Sequence, residues 1–267
     1  MPDIEWIVLY MALGAITGFM AGLLGLGGGG MLVPLLASIF TMQGMSADTA
    51  VHLALGTSLA CMITSSTASI HAHASQGAIM WRAAGGMIPG IAAGALLAAH
   101  AAAKLNPAHI ASFFALFMAL IALQMFVNWQ PEPSKQPITL RGLLTAGIGI
   151  GSVSALTAAG GGFLTVAYLS YKNSDIKTAI GTSAAIGFPI AIAGTAGYVI
   201  SGWSITSSDP YTLGFVYIPA FLAISIASAV SAHYGARCTH RLPEAFLKKA
   251  LAIISLLLSI KMLVTLI

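Results

Sequence analysis

Two glycine runs carry the most distinctive chemistry of this chain: Gly27-Gly28-Gly29-Gly30 and the weaker Gly160-Gly161-Gly162, each set between stretches free of charge. Consecutive glycines break a helix and admit positive φ. A helix that restarts behind them offers unpaired backbone N–H groups and the positive end of its dipole, which together suit an anion. Helix packing asks instead for small residues spaced by four, so an uninterrupted run points to opened backbone. Neither run is followed by Lys-Ser or Lys-Thr, which argues against a nucleotide-binding loop. Hydroxyls repeat in the same way, in Gly56-Thr57-Ser58 and Gly181-Thr182-Ser183, and Cys61 continues the first polar face at helical spacing. Such groups bind ligand oxygens, or else bond to the carbonyl one turn back or to a neighbouring helix. The candidate substrate-binding set is therefore Gly27, Gly28, Gly29, Gly30, Thr57, Ser58, Cys61, Gly160, Gly161, Gly162, Thr182 and Ser183.

Pro34, Pro89, Pro189 and Pro219 lie inside apolar segments, where a proline frees a carbonyl and bends a helix; they are the candidate hinges or gates. Asp and Glu are missing from the interior of every expected span, so the usual carboxylate relay for a coupling proton or sodium ion is absent. His52, His100 and His233 remain as proton carriers, the last two close to helix ends. His71 and His73 point to different helix faces and make a poor metal pair, so neither metal nor cofactor is expected. No spacing unites a serine nucleophile with a histidine base, and enzyme activity is not expected either. Cys61 and Cys238 read as free thiols.

The elements that must position these groups belong in lipid. Of 267 residues, eleven are Lys or Arg and seven are Asp or Glu, while 58% are hydrophobic, which no soluble domain of this size carries on its surface. Charge-free runs such as Thr49 to Trp81, Thr178 to Ser208 and Pro210 to Ala236 each exceed the roughly 20 residues that cross a bilayer as helix. Long continuous runs, rather than weak ten-residue alternations, exclude a barrel; the expectation is an all-α integral membrane protein. The net charge of +4 is spread over short loops, so membrane topology explains it and nucleic acid is not a partner. The acidic start, with Asp3 and Glu5, lacks the basic head of a signal peptide.

Breaks at Gly, Pro and charges divide the chain into two five-segment halves, 1–128 and 141–267, joined by a polar linker at 129–140. The segments are Ile4 to Leu24, Met31 to Phe40, Ala50 to Ile70, Ala83 to Ala103 and Ala108 to Val127, then Gly142 to Ala159, Phe163 to Tyr171, Ile176 to Ile200, Leu213 to Ala236 and Ala245 to Leu266. The halves align at the glycine runs, at Gly-Thr-Ser, and at Met87-Ile88-Pro89 against Tyr217-Ile218-Pro219. The short segments reach only half way through a bilayer core of about 30 Å and read as half-helices. An odd number of crossings per half inverts the second copy, giving an inverted-topology repeat. With both termini external, Arg82, Lys135, Arg141, Lys172, Lys177, Arg237, Arg241, Lys248 and Lys249 lie inside, and only Lys104 and Lys261 outside. Small-residue faces serve internal and external packing alike, so no oligomeric state is read from them.

The stretch from Gly18 to Pro34, Gly-Phe-Met-Ala-Gly-Leu-Leu-Gly-Leu-Gly-Gly-Gly-Gly-Met-Leu-Val-Pro, closely resembles the signature of the sulfite exporter TauE/SafE family. Gly56-Thr57-Ser58, the Gly77-Ala78-Ile79-Met80-Trp81 exit and the second-half Gly160-Gly161-Gly162 with Gly181-Thr182-Ser183 are similar to its remaining landmarks. The second motif departs from the first, with Thr157-Ala158-Ala159 in place of Gly25-Leu26-Gly27 and Val166 in place of Pro34. The resemblance implies a multi-pass permease of a bacterial or archaeal cytoplasmic membrane for a small sulfur-containing anion such as sulfite, sulfoacetate or a related organosulfonate. A doubled, inverted, glycine-broken half implies alternating access to a central site. A passive anion channel on the same scaffold is the alternative, and a membrane enzyme or structural subunit the third reading.

Overall fold

The computed structural model describes residues 4–24, 28–127, 139–206, 210–239 and 242–265. The helices are α1 (Ile4–Leu24), α2 (Gly29–Met42), α3 (Ala47–Ser75), α4 (Trp81–Ala102), α5 (Pro107–Val127), α6 (Leu140–Thr157), α7 (Gly162–Tyr171), α8 (Ile176–Gly202), α9 (Ile218–Thr239) and α10 (Glu244–Thr265). Among the described residues, seven helices are long and apolar enough to cross a membrane: α1, α3, α4, α5, α6, α8 and α9. In α10 the apolar part is the shorter stretch Ala252–Val264. At 14 and 10 residues, α2 and α7 span roughly 21 and 15 Å against a hydrocarbon core of about 30 Å. The chain is a multi-pass, all-α membrane protein, and its outer faces carry the large apolar side chains lipid requires, among them Leu97, Leu116, Ile226 and Val230. Inside lie Tyr10, Phe40, Phe114, Tyr198 and Phe215, all buried.

Helices from the two parts of the chain interleave. The contacts pair α1 with α9, α4 with α6, α3 with α8 and α9, α4 with α8, and α5 with α10. Lipid gives no hydrophobic drive for such pairing, so close backbone approach and interhelical hydrogen bonds must supply it. Gly14, Gly18 and Gly22, spaced by four, press α1 onto the α9 backbone at Ile224, Ser228 and Ala232, and Gly147 and Gly151 of α6 do the same to α4 at Met87 and Ile91. Hydroxyls cross the same seams: Ser152 Oγ donates to the Gly94 carbonyl at 3.2 Å and Ser259 Oγ to the Ala115 carbonyl at 2.8 Å.

Three expectations need correction. The segment expected as helix from Leu213 begins instead with a small hairpin, β1 (Thr212–Leu213) against β2 (Val216–Tyr217), and α9 starts only at Ile218. Its two-residue turn opens with Gly214 at φ 54°, and Thr206 Oγ1 anchors the Gly214 carbonyl at 2.8 Å. The uniformly apolar character of the run hid this turn. Pro219 therefore sits in the first turn of α9, where proline costs no hydrogen bond, whereas Pro34, Pro89 and Pro189 are inside α2, α4 and α8. The expected linker lies outside the described residues as far as 138. Thr139 then caps α6, accepting from Gly142 N at 3.2 Å, so Leu140 belongs to the helix.

Candidate functional site

Both short helices start at a glycine in the left-handed region. Gly28 caps α2 at φ 73° and Gly161 caps α7 at φ 68°, where a side chain would be strained, and no side chain caps either helix. Gly27 lies outside the described residues. Ahead of α7 the chain makes its turn through Ala158 (φ 48°) and Gly160 (φ 65°). By conformation Gly28 corresponds to Gly161, one residue beyond the match made on sequence, and Pro34 then stands opposite Ala167 rather than Val166. The two bends touch. A Cβ at Gly29 would lie 2.5 Å from the Ala158 carbonyl oxygen and 3.2 Å from that of Ser58, and one at Gly30 would lie 3.2 Å from Ala159 Cα. Beside them is an apolar crevice of about 10 Å³ lined by Gly28, Gly30, Met31, Met118, Ala159, Phe163, Ile254 and Leu258, room for roughly one water.

The Gly-Thr-Ser segments fasten the two parts of the chain together. Thr57 Oγ1 accepts from Tyr217 N at 2.9 Å, and Thr182 Oγ1 accepts from Met80 N at 3.0 Å while donating to the Thr178 carbonyl at 2.7 Å. Gly56 packs on the Phe215 carbonyl and Gly181 on that of Ala78. Phe215–Tyr217 thus meets the first Gly-Thr-Ser segment in the way that Ala78–Met80 meets the second. Ser58 Oγ is fully buried without a partner beside the first bend, while Ser183 Oγ donates to the Ile180 carbonyl at 2.7 Å. Cys61 is buried, its sulfur 3.9 Å from the Phe221 carbonyl, and Cys238 is partly exposed; both are free thiols.

His52 and His100 bond to groups outside the bends. His52 reaches the Asp48 and Ala102 carbonyls, both at 3.2 Å, and stacks on Phe215; His100 Nδ1 is 2.8 Å from Ser201 Oγ. His71 is exposed and His73 buried, on different faces as their spacing requires. Among the described residues no cluster of His, Cys, Asp and Glu is arranged for a metal.

Sequence reasoning passed over Ser66 and Thr165. Both are fully buried, and neither hydroxyl has a hydrogen-bond partner. Ser66 Oγ and the Gly160 carbonyl oxygen lie 3.1 and 3.3 Å from the point a Cβ of Gly187 would occupy, and Thr165 Oγ1 is 3.4 Å from that of Gly161. The available signal was the spacing of Ser58, Ser66 and Ser69, which places three hydroxyls along one face of α3.

Comparison with known proteins covers nearly the whole chain. The family model described as sulfite exporter TauE/SafE matches residues 10–262. A probable membrane transporter protein of Haemophilus influenzae is 31% identical over 96% of this chain and 98% of its own length. A probable membrane transporter protein of Methanocaldococcus jannaschii is 25% identical over 90% and 89%, and YdhB of Bacillus subtilis, also a probable membrane transporter protein, 28% over 88% and 91%. No solved structure matches the chain. With the family's model spanning α1 to α10 and full-length relatives alike in bacteria and an archaeon, the chain belongs to the sulfite exporter TauE/SafE family of membrane transporters.

Proposed function

We propose that this protein is a secondary transporter that carries a small sulfur-containing anion, sulfite, sulfoacetate or a related organosulfonate, across the cytoplasmic membrane by alternating access. The observation that carries the reading is the contact, through Gly29 and Ala158, of two buried left-handed bends, one at Gly28 and one running from Ala158 to Gly161. Each bend starts a half-helix, so two positive dipole ends and their first-turn amides lie at one place. Such a seat holds an oxyanion by hydrogen bonds without the trap of a full salt bridge, which suits release. The backbone amides of Gly28 to Gly30 and of Gly160 to Gly162 and the Ser58 hydroxyl are the groups assigned to the cargo. The hydroxyls of Thr57 and Thr182 hold the frame around it, since both already accept a bond from the other part of the chain.

The halves, 1–128 and 141–267, are read as an inverted repeat with external termini. In support, exchanging α1 with α6, α3 with α8, α4 with α9 and α5 with α10 turns the most extensive helix pairs into one another: α1 on α9 becomes α6 on α4, and α3 on α9 becomes α8 on α4. In this reading the prolines inside α2, α4 and α8 are the bending points as one half moves against the other.

The test is flux of labelled sulfite and sulfoacetate in vesicles containing the purified protein. Accumulation above equilibrium is expected of the wild type, with at least about tenfold loss in Ser58→Ala at normal abundance. Equilibration without accumulation under every imposed gradient would make the protein a passive channel, and full flux in Ser58→Ala would remove that residue from the site.

A further inference from the structure

Around the second bend, three buried oxygen atoms stand without partners. The Ser66 and Thr165 hydroxyls have none, and among the described residues no backbone hydrogen bond ends on the Gly160 carbonyl. The oxygen of Gly160, and not its Cα, is the atom turned toward Gly187, where it and Ser66 Oγ lie 3.3 and 3.1 Å from the same point, that of a Gly187 Cβ. A carbonyl accepts only, so an anion is repelled there, whereas two hydroxyls and a carbonyl are the donor set of a hard monovalent cation. Opened backbone carbonyls in broken membrane helices are the usual place for one. Leaving such groups unsatisfied in a membrane interior is costly, so a ligand that satisfies all three is favoured there.

The arrangement is not repeated at the first bend. Through the Gly56–Gly181 and Gly28–Gly161 equivalences, Ser66 corresponds to Ala191 and Thr165 to Leu32, and Gly187 corresponds to Met62. Among the described residues the polar set is therefore not duplicated at the equivalent positions. Charge balance gives it a use: no Lys or Arg is buried among the described residues, so a cargo anion at the half-helix ends has no side-chain counter-ion, and a cation one bend away offsets its charge in low dielectric.

We propose that the second glycine bend binds a sodium ion through the Gly160 carbonyl and the Ser66 and Thr165 hydroxyls, and that this ion couples to the cargo. Its role in coupling rests on the transport reading above; the site itself does not.

The experiment is thermal denaturation of the purified protein in sodium chloride against choline chloride at constant ionic strength, beside sulfite uptake in vesicles under a sodium gradient. The expected result is a saturable rise in Tm with sodium alone. Ser66→Ala and Thr165→Val should raise the half-saturating sodium about tenfold or more, and Thr165→Ser should keep the wild-type response. In choline the first two variants should melt at or above the wild type, because each removes an unsatisfied buried hydroxyl. A sodium response unchanged in both variants, or a response to sulfite in choline with none to sodium, overturns the site. Uptake driven equally well without sodium overturns the coupling. A normal sodium response in a protein that moves no sulfur anion supports the site and defeats the transport reading instead.

Discussion

Replacing Thr57 with Val tests whether the Gly-Thr-Ser segments hold the frame or the cargo. The change removes the acceptor for Tyr217 N, a 2.9 Å bond between buried residues 160 apart in sequence. Hydrogen bonds inside membrane proteins have measured about 0.6–1.7 kcal/mol, so a loss of about 1–2 kcal/mol is expected. For a chain of this length each kcal/mol lowers Tm by about 2–4 °C, giving a drop of roughly 2–8 °C. Thr182→Val removes the corresponding acceptor for Met80 N and should cost about as much; the two are separate contacts, so the double variant should show nearly the sum. Thr57→Ser keeps the oxygen and should melt within about 1 °C of the wild type. The assay is intrinsic-fluorescence melting of the purified protein. Thr57→Val melting with the wild type while losing sulfite flux would refute the frame role and make the hydroxyl a ligand of the cargo.

Further outcomes follow from the same contacts. Gly161→Ala forces an L-residue to φ 68° and brings its Cβ to 2.7 Å from Ile190 Cδ1, a cost of about 1–2 kcal/mol visible as a lower Tm, whereas the same change at exposed Gly149, with open space around it, should be neutral or slightly stabilising. Gly18→Val drives a side chain into the α9 backbone at Ser228 and should destabilise by about 1–3 kcal/mol or abolish accumulation of the folded protein, read by detergent-resistant monodispersity. A membrane-permeant maleimide should label partly exposed Cys238 well before buried Cys61 at pH 7.5, read by mass spectrometry of the two peptides; equal rates would contradict the packing of α3 on α9.

The local chemistry of this fold was legible in the residues themselves. Ile4 to Leu24 is the helix expected, and the short segments expected from Met31 and Phe163 are helices that begin at Gly29 and Gly162. Glycine runs and charge gaps act within a few residues, so their consequences can be read along the chain. Contacts made between distant segments could not be read that way. Thr57 with Tyr217 and Thr182 with Met80 join residues 160 and 102 apart, and no local pattern marks either pair. The hairpin before α9 escaped because β-branched and apolar residues serve a membrane helix as readily as a strand. Ser66 and Thr165 escaped because a serine or threonine in a helix ordinarily bonds its own backbone, and only packing reveals that these two do not.

The central claim is that opposed half-helix ends, rather than charged side chains, hold the anion. A cryo-EM structure of the protein with bound sulfite tests it most directly. The account predicts anion density within hydrogen-bonding distance of first-turn amides of both α2 and α7, beside Ser58. Density seated against Lys or Arg side chains at a membrane face, touching neither bend, would contradict it.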